Sequence, residues 1–278
     1  MGVSQKSKVE SPKSEMREQV LDGRPVEAFE IIDCHGHLGY WHNFSIPART
    51  AADMVRLMDT CGIRAIVSSA HAAIGPDYKL GNDQVIQAMR EFPRRIHGYC
   101  TVNPHISAQE MRDELNRCFD AGMIAIKFHP SVHRLPADGD KYVPAWEFAS
   151  EHGCCILSHT WTGDAHCGIS LFEKPANDYP NVKIILGHSG FGYEGAKQSC
   201  ELAGKCPNVY LDVTASTFYL GLLERMVAGA GADRVLFGTD LPFMDCRAQV
   251  GRFAFSKLDD EQLRLTLGAN AHRLFGLL

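Results

Sequence analysis

Short β-rich runs recur along this chain about every thirty residues, the length of one βα unit, and each is followed by an amphipathic stretch. That alternation limits the fold more than any other feature. The runs are Glu30–Cys34, Ala65–Ser69, Ile96–Thr101, Ile124–Phe128, Cys155–Ser158, Lys183–Leu186, Val209–Val213 and Val235–Phe237. Between them, Ala51–Thr60 sets Met54, Leu57 and Met58 on one helical face, and Ala108–Ala121 does the same with Met111, Leu115 and Phe119. Tyr142–Glu151, Gly195–Leu202, Leu220–Ala230 and Asp260–Leu277 complete most of the helical set. Ser107 with Glu110 three residues on forms a capping box, and Gly122, Gly153 and Gly204 follow helical runs as C-caps. Eight strand–helix units without a second compositional regime predict a single (β/α)8 TIM barrel over residues 28–278, behind a flexible polar tail over 1–27. Alternation alone also admits an open doubly wound sheet.

The net charge of −5 leaves no excess of Lys and Arg to neutralise phosphates, which argues against a nucleic-acid partner. No apolar run approaches the roughly 18 residues of a membrane span. Met1–Arg24 is polar, without the apolar centre of a signal peptide, and Lys6 stands where myristoylation favours a hydroxyl. The ten cysteines are scattered, with no CxxC pair, and most lie in apolar runs as small hydrophobes. A reducing, cytoplasmic setting and a small-molecule substrate are the expectation.

The histidines carry the chemistry. His35 and His37 end the first strand, and His71, His129, His159 and His188 follow the second, fourth, fifth and sixth. Asp240 closes the eighth, and in a parallel barrel these strand ends form the catalytic face. In Asp33-Cys34-His35-Gly36-His37, residues two apart on an extended strand share a side, so Asp33, His35 and His37 are expected to face the barrel axis together. His159 adds a third imidazole and Asp240 a carboxylate, a set suited to one divalent ion with room for water. Zinc is the first expectation, and manganese or cobalt also fit such a set. His188 would stand near that water.

These residues resemble the amidohydrolase superfamily, specifically the amidohydrolase-2 branch that includes the aminocarboxymuconate semialdehyde decarboxylase-like enzymes. The resemblance runs from about Ile31 to Leu278. It rests on the Asp33–His37 motif, Ile126-Lys127-Phe128-His129-Pro130, Ser158-His159, Gly187-His188-Ser189-Gly190, Gly238-Thr239-Asp240 and the closing Leu267–Leu277 helix. It implies that His35, His37, His159 and Asp240 hold one ion, that His188 is catalytic, and that Asp240 also takes a proton from bound water. In binuclear members of the superfamily a carboxylated lysine near the position of Lys127 bridges two metals. Here a second metal is not expected, and Lys127 is read as a substrate-carboxylate contact or a partner of Asp33. A homodimer is common in the family, but no residue identifies an interface.

Around this set, Lys127, His129 and Trp161 are expected to bind substrate. Trp41, Trp161, Phe191 and Tyr193 are candidate walls for an aromatic ligand, and Arg134 and Arg247 are candidate carboxylate clamps. His71 and His105 either line the mouth or cap turns, His133 either lines the pocket or lies in an exposed loop, and His97, His152 and His272 read as structural. Gly229–Asp233 is glycine-rich but precedes a strand, the wrong order for a phosphate loop. The first functional expectation is a metal-dependent hydrolase of an amide, lactone or ester. The first alternative is a non-oxidative decarboxylase of an aromatic or unsaturated acid on the same ligands, and the second is a catalytically silent ligand-binding barrel.

Overall fold

The computed structural model describes residues 11–43, 45–46 and 48–277, and in it the alternation resolves into eight parallel strands within a ring of helices. The first half runs α1 (Pro12–Leu21), β1 (Ile31–Leu38), α2 (Ala51–Cys61), β2 (Ile63–Ala70), α3 (His71–Ile74), α4 (Tyr78–Glu91), β3 (Ile96–Thr101), α5 (Ala108–Asp120) and β4 (Ala125–Phe128). The next stretch adds α6 (Pro130–His133), α7 (Val143–His152), β5 (Cys155–His159), α8 (Glu173–Asp178), β6 (Lys183–Gly187), α9 (Gly192–Lys205) and β7 (Val209–Asp212). The chain ends through α10 (Leu222–Ala230), β8 (Val235–Leu236), α11 (Cys246–Ala254), α12 (Asp260–Arg264) and α13 (Asn270–Phe275).

Neighbouring strands pair in sequence order from β1 to β8, which excludes the doubly wound alternative, whose order reverses at a switch point. The ends of the sheet then meet. Cys34 N–H donates to Phe237 O at 2.9 Å, Asp240 N–H to His35 O at 2.9 Å and His37 N–H to Leu241 O at 2.7 Å. These bonds close the barrel and at the same time bring the HxH segment against the Asp240 loop.

Two apolar layers hold the barrel. Inside it, Ile32, Cys34, Val67, Tyr99, Ala125, Leu157, Ile185 and Leu236 pack together, and Ala271, Phe275 and Leu277 join them from the C-terminal end of the chain. Tyr99 is fully buried there, with its hydroxyl donating to Cys34 O at 2.7 Å, so its one polar group is satisfied. Residues of opposite parity, such as Ile31, Ile66, Ile126, Ile156 and Ile184, pack outward against the helices. The expected cap at Ser107 forms in full, with Ser107 and Glu110 each accepting from the other's backbone N–H.

The segment expected to be a flexible polar tail divides. Residues 1–10, including Lys6, lie outside the described residues. Pro12–Leu21, by contrast, is helical, capped by Ser11 and docked through a fully buried Met16. Helices α4 and α11 were not anticipated from the sequence either. The closing helix, expected as one run to Leu277, is divided by a π-helical turn at Leu265–Ala269. There Gly268 approaches Glu30 O so closely that a Cβ would stand 2.5 Å from it. All cysteines other than Cys154 and Cys200 are buried, as their apolar surroundings suggested. Among the described residues, no helix is long and apolar enough to cross a membrane.

Candidate active site

The carboxyl end of β1 sets the site, and a break in register shapes it. Strand β1 pairs with β2 at Ile32↔Ala65 and Asp33↔Ile66, after a first shift following Ile31↔Ile63, and resumes at Gly36↔Ser68 with a second shift between Asp33 and Gly36. Ile32 and Cys34 face the barrel interior below the shift. The expectation that Asp33 shares a face with His35 and His37 is corrected by this bulge. Asp33 Oδ1 instead accepts from His35 N–H at 2.9 Å and Thr239 N–H at 3.1 Å, and its other oxygen bonds the Thr239 hydroxyl. Asp33 therefore ties β1 to the turn carrying Asp240. Burial, only partly offset by these bonds, pushes its carboxyl up to about 7.

Above the bulge, His35, His37 and Asp240 converge, with one ligand atom from each within 4.8 Å of the others. Asp240 Oδ1 lies 3.0 Å from His37 Nε2 and 3.7 Å from His35 Nε2. It is buried and makes no well-aligned hydrogen bond. Asp240 itself sits at φ +65° and His188 at φ +63°, backbone that non-glycine residues adopt at a cost, as is common where side chains are aimed for function.

Each imidazole is oriented from behind. His35 Nδ1–H donates to Asp212 Oδ2 at 2.6 Å, leaving the Nε2 lone pair turned into the cavity, 2.8 Å from Lys127 Nζ and 3.7 Å from Asp240 Oδ1. Asp212 also accepts from Thr214 N–H and its hydroxyl at 2.9 and 2.6 Å and from His188 N–H at 3.2 Å. Gly238 makes room for this arrangement, since a Cβ there would stand 2.3 Å from both Asp212 Oδ1 and Thr214 Oγ1. His37 Nδ1 is paired with Ser69 Oγ at 3.0 Å, and His188 Nδ1 donates to Thr214 O at 3.3 Å.

Charge follows burial. Desolvation holds His37, His129 and His159 well below the usual imidazole range and brings His188 to about 4, so all four are neutral with lone pairs to offer. Burial alone would raise the Asp240 carboxyl. Contact with His37 and the nearness of His35 and His188 outweigh it and hold that carboxyl well below the usual range. Neutral imidazoles around an ionised carboxylate whose buried oxygen lacks an aligned donor are what a divalent cation requires.

His159, expected as a fourth ligand, borders the same cavity but does not join that trio. Its ring stacks on His129 with centroids 4.2 Å apart and stands edge-on to His188 at 4.8 Å. Lys127 is buried with its Nζ 2.8 Å from His35 Nε2, so it addresses His35 and not Asp33. Burial lowers its ammonium to about 8.

The cavity holds about 540 Å³. Trp161 and Phe191 form one wall as a parallel stack, 4.2 Å between centroids and 12° between planes. Trp41 and Phe243 meet edge-on at 5.5 Å and also line it. Tyr193 is absent from this lining; its hydroxyl donates to Leu220 O on the outer surface. Neither proposed arginine clamp reaches the cavity, for Arg134 is exposed and Arg247 pairs with Asp245. His71 stacks on His37 at 5.0 Å and donates to Gly39 O. His105 Nε2 pairs with His133 O, and His133 with the Tyr142 hydroxyl. Sequence reasoning missed Asp212 and Phe243. Asp212 lies in the last two residues of a predicted strand, near the end that carries the other site residues, and that position was its signal; Phe243 had none.

A buried His-His-Asp metal site at the carboxyl end of a closed (β/α)8 barrel defines a metal-dependent barrel enzyme class. A family model described as amidohydrolase matches residues 32–277, and the chain belongs to that family, in its amidohydrolase-2 branch. Gamma-resorcylate decarboxylase of Polaromonas sp. (strain JS666 / ATCC BAA-500) is 24% identical over 288 residues, covering 80% of this chain and 86% of that protein. Among solved structures, 2,6-dihydroxybenzoate decarboxylase complexed with 2,6-dihydroxybenzoate superposes with a TM-score of 0.72 at 18% identity, over 90% of this chain and 99% of that one. A dihydroxybenzoic acid decarboxylase from Polaromonas sp. JS666, with bound manganese and the inhibitor 2-nitroresorcinol, gives 0.67 at 18%, over 90% and 97%.

Proposed function

We propose that this chain is a metal-dependent, non-oxidative decarboxylase of an aromatic carboxylic acid. The observation that carries the reading is one cavity in which the His35–His37–Asp240 trio and Lys127 stand under the aromatic walls of Trp161, Phe191, Trp41 and Phe243. The hydrolase reading put first from the sequence yields to its alternative, because the similar proteins named above are decarboxylases. Manganese replaces zinc as the preferred ion on the same comparison.

His35, His37 and Asp240 would hold the ion, with His159 as a further donor bordering the same cavity. When bound, the ion supplies positive charge that stabilises negative charge gathering on the substrate. The flat ring is held against the Trp161–Phe191 stack, and Lys127 supplies a cation for the carboxylate. Excluding water from that carboxylate favours loss of a neutral product. The bond between ring carbon and carboxyl carbon breaks, its electron pair stays on the ring carbon, and carbon dioxide leaves. A proton drawn from water must then reach that carbon, and His188 and Asp240, which border the cavity, are the side chains assigned to pass it on.

The test is a panel of hydroxylated benzoic acids labelled with 13C at the carboxyl, offered to manganese-loaded protein beside a panel of lactones and amides. Release of labelled carbon dioxide, reduced by about 1000-fold or more in Asp240→Asn, is the expected result. Hydrolysis of the second panel with no label released would overturn the reading.

A further inference from the structure

Helices α2 and α11 lie side by side behind the β8 loop and bring two thiols together. Cys61 is the last residue of α2 and Cys246 the first of α11, and their Sγ atoms are 3.2 Å apart although the residues are 185 positions apart in sequence. Both side chains are buried, and Cys246 Sγ also faces Leu57 O at 3.6 Å. A disulfide needs its sulfurs at about 2.05 Å, so closure asks for little more than 1 Å of movement. That movement falls where two helix ends meet, the part of a helix most free to shift.

We propose that Cys61 and Cys246 form a reversible redox pair, oxidised to an intramolecular disulfide by a peroxide. The Cys61 thiolate attacks one peroxide oxygen, the O–O bond breaks and a sulfenic acid forms with release of hydroxide. The Cys246 thiol then attacks the Cys61 sulfur, and water leaves as the S–S bond forms. Two thiols and one hydrogen peroxide give one disulfide and two waters. The chemistry is asymmetric in the order this requires. The contact between the two sulfurs lowers the Cys61 thiol despite burial, which suits Cys61 as attacker and Cys246 as resolver. The bond would fasten α2 to the segment that runs from Asp240 through the cavity residues Phe243 and Met244 into α11.

The experiment treats the purified full-length chain with one to several equivalents of hydrogen peroxide, alkylates remaining thiols under denaturing conditions, and maps peptides without reduction. The expected result is a linked Cys61–Cys246 peptide, a loss of two alkylatable thiols restored by dithiothreitol, and a rise in unfolding temperature of about 5 °C or more. Cys61→Ser and Cys246→Ala should each abolish the linked peptide and the temperature rise; using both guards against one variant folding poorly. Recovery of Cys61 and Cys246 fully alkylated at peroxide levels that oxidise other cysteines, or a link between any other pair, would overturn the proposal.

Discussion

His35 Nδ1 stands 2.6 Å from Asp212 Oδ2 with both side chains essentially excluded from solvent, so the first imidazole of the metal trio is held by a carboxylate from the far side of the barrel closure. Burial would raise the Asp212 carboxyl, but the nearness and hydrogen bond of His35 prevail and lower it. An ionised Asp212 fixes the tautomer that turns Nε2 toward Asp240 and makes that nitrogen a better donor. Asp212→Asn keeps the shape and loses the charge. Metal affinity should fall by about 10- to 100-fold while circular dichroism stays unchanged; isothermal titration of manganese into chelator-treated protein reads it. Undiminished affinity would remove Asp212 from the metal centre.

The Trp161–Phe191 stack forms a flat wall at the cavity, and Trp161 is its more exposed member, 38% accessible. Trp161→Ala should therefore act on substrate more than on metal. A raised KM for an aromatic acid, on the order of ten-fold, with metal content unchanged is the expected outcome of steady-state kinetics alongside elemental analysis. A loss of bound metal in that variant would mean that Trp161 supports the His159 ring, which stacks behind it at 6.0 Å, and not the substrate.

Much of this was legible in the residues, for reasons that also explain the gaps. Strands enclosed on both faces read as short apolar runs, which is why Ile96–Thr101 matches β3 to the residue. Strand β8 shrinks to Val235–Leu236 because Phe237 N–H turns away to Thr266 O, a contact nearly thirty residues off that no local pattern announces. Helix α4 was missed because its apolar positions are few, and its signal was the Asp77 N-cap. At the site, the spacing of His35 and His37 announced a shared face, but the bulge beneath them is a backbone event that leaves no mark on residue type. Parity alone therefore misplaced Asp33. Arg134 and Arg247 were proposed from nearness in sequence to strand ends, whereas which way a loop side chain turns depends on partners such as Asp245.

Lys127 gives a stability signature with a definite sign. Its ammonium is lowered from 10.5 to about 8, chiefly by burial, with Asp240 and Asp212 opposing. Between those two values the unfolded chain binds more protons than the folded one, so unfolding free energy rises with pH across that window. At neutral pH the buried ammonium costs on the order of 3 kcal/mol. In metal-free protein, Lys127→Met should raise stability at pH 7 by about 1–3 kcal/mol and flatten the rise between pH 8 and 10. The same variant should bind aromatic carboxylates poorly. Urea unfolding at both pH values, in chelator, compares the slopes; equal slopes in the two proteins would show that Lys127 is not charged and buried when folded.

Helix α1 offers a test that separates scaffold from site. Met16 is fully buried, Arg17 donates to Ala254 O at 2.8 Å and Ser256 O at 3.4 Å, and Lys13 bonds Leu258 O. Gln19 Oε1 accepts from Glu27 N–H and Ala28 N–H at 3.0 and 3.3 Å, anchoring the return toward β1. The helix thus covers the carboxyl end of α11, whose orphan carbonyls would otherwise face water, and it leaves the other end of α11 to the Asp240 loop. Met16→Ala should cost about 2–4 kcal/mol of stability, read as a lowered denaturant midpoint with an unchanged slope. Manganese affinity should not move, because α1 contributes no contact to the trio. A matching loss of metal affinity would mean that strain passes along α11 from its carboxyl end to Asp240, and the docking of α1 would then belong to the site as well as to the scaffold.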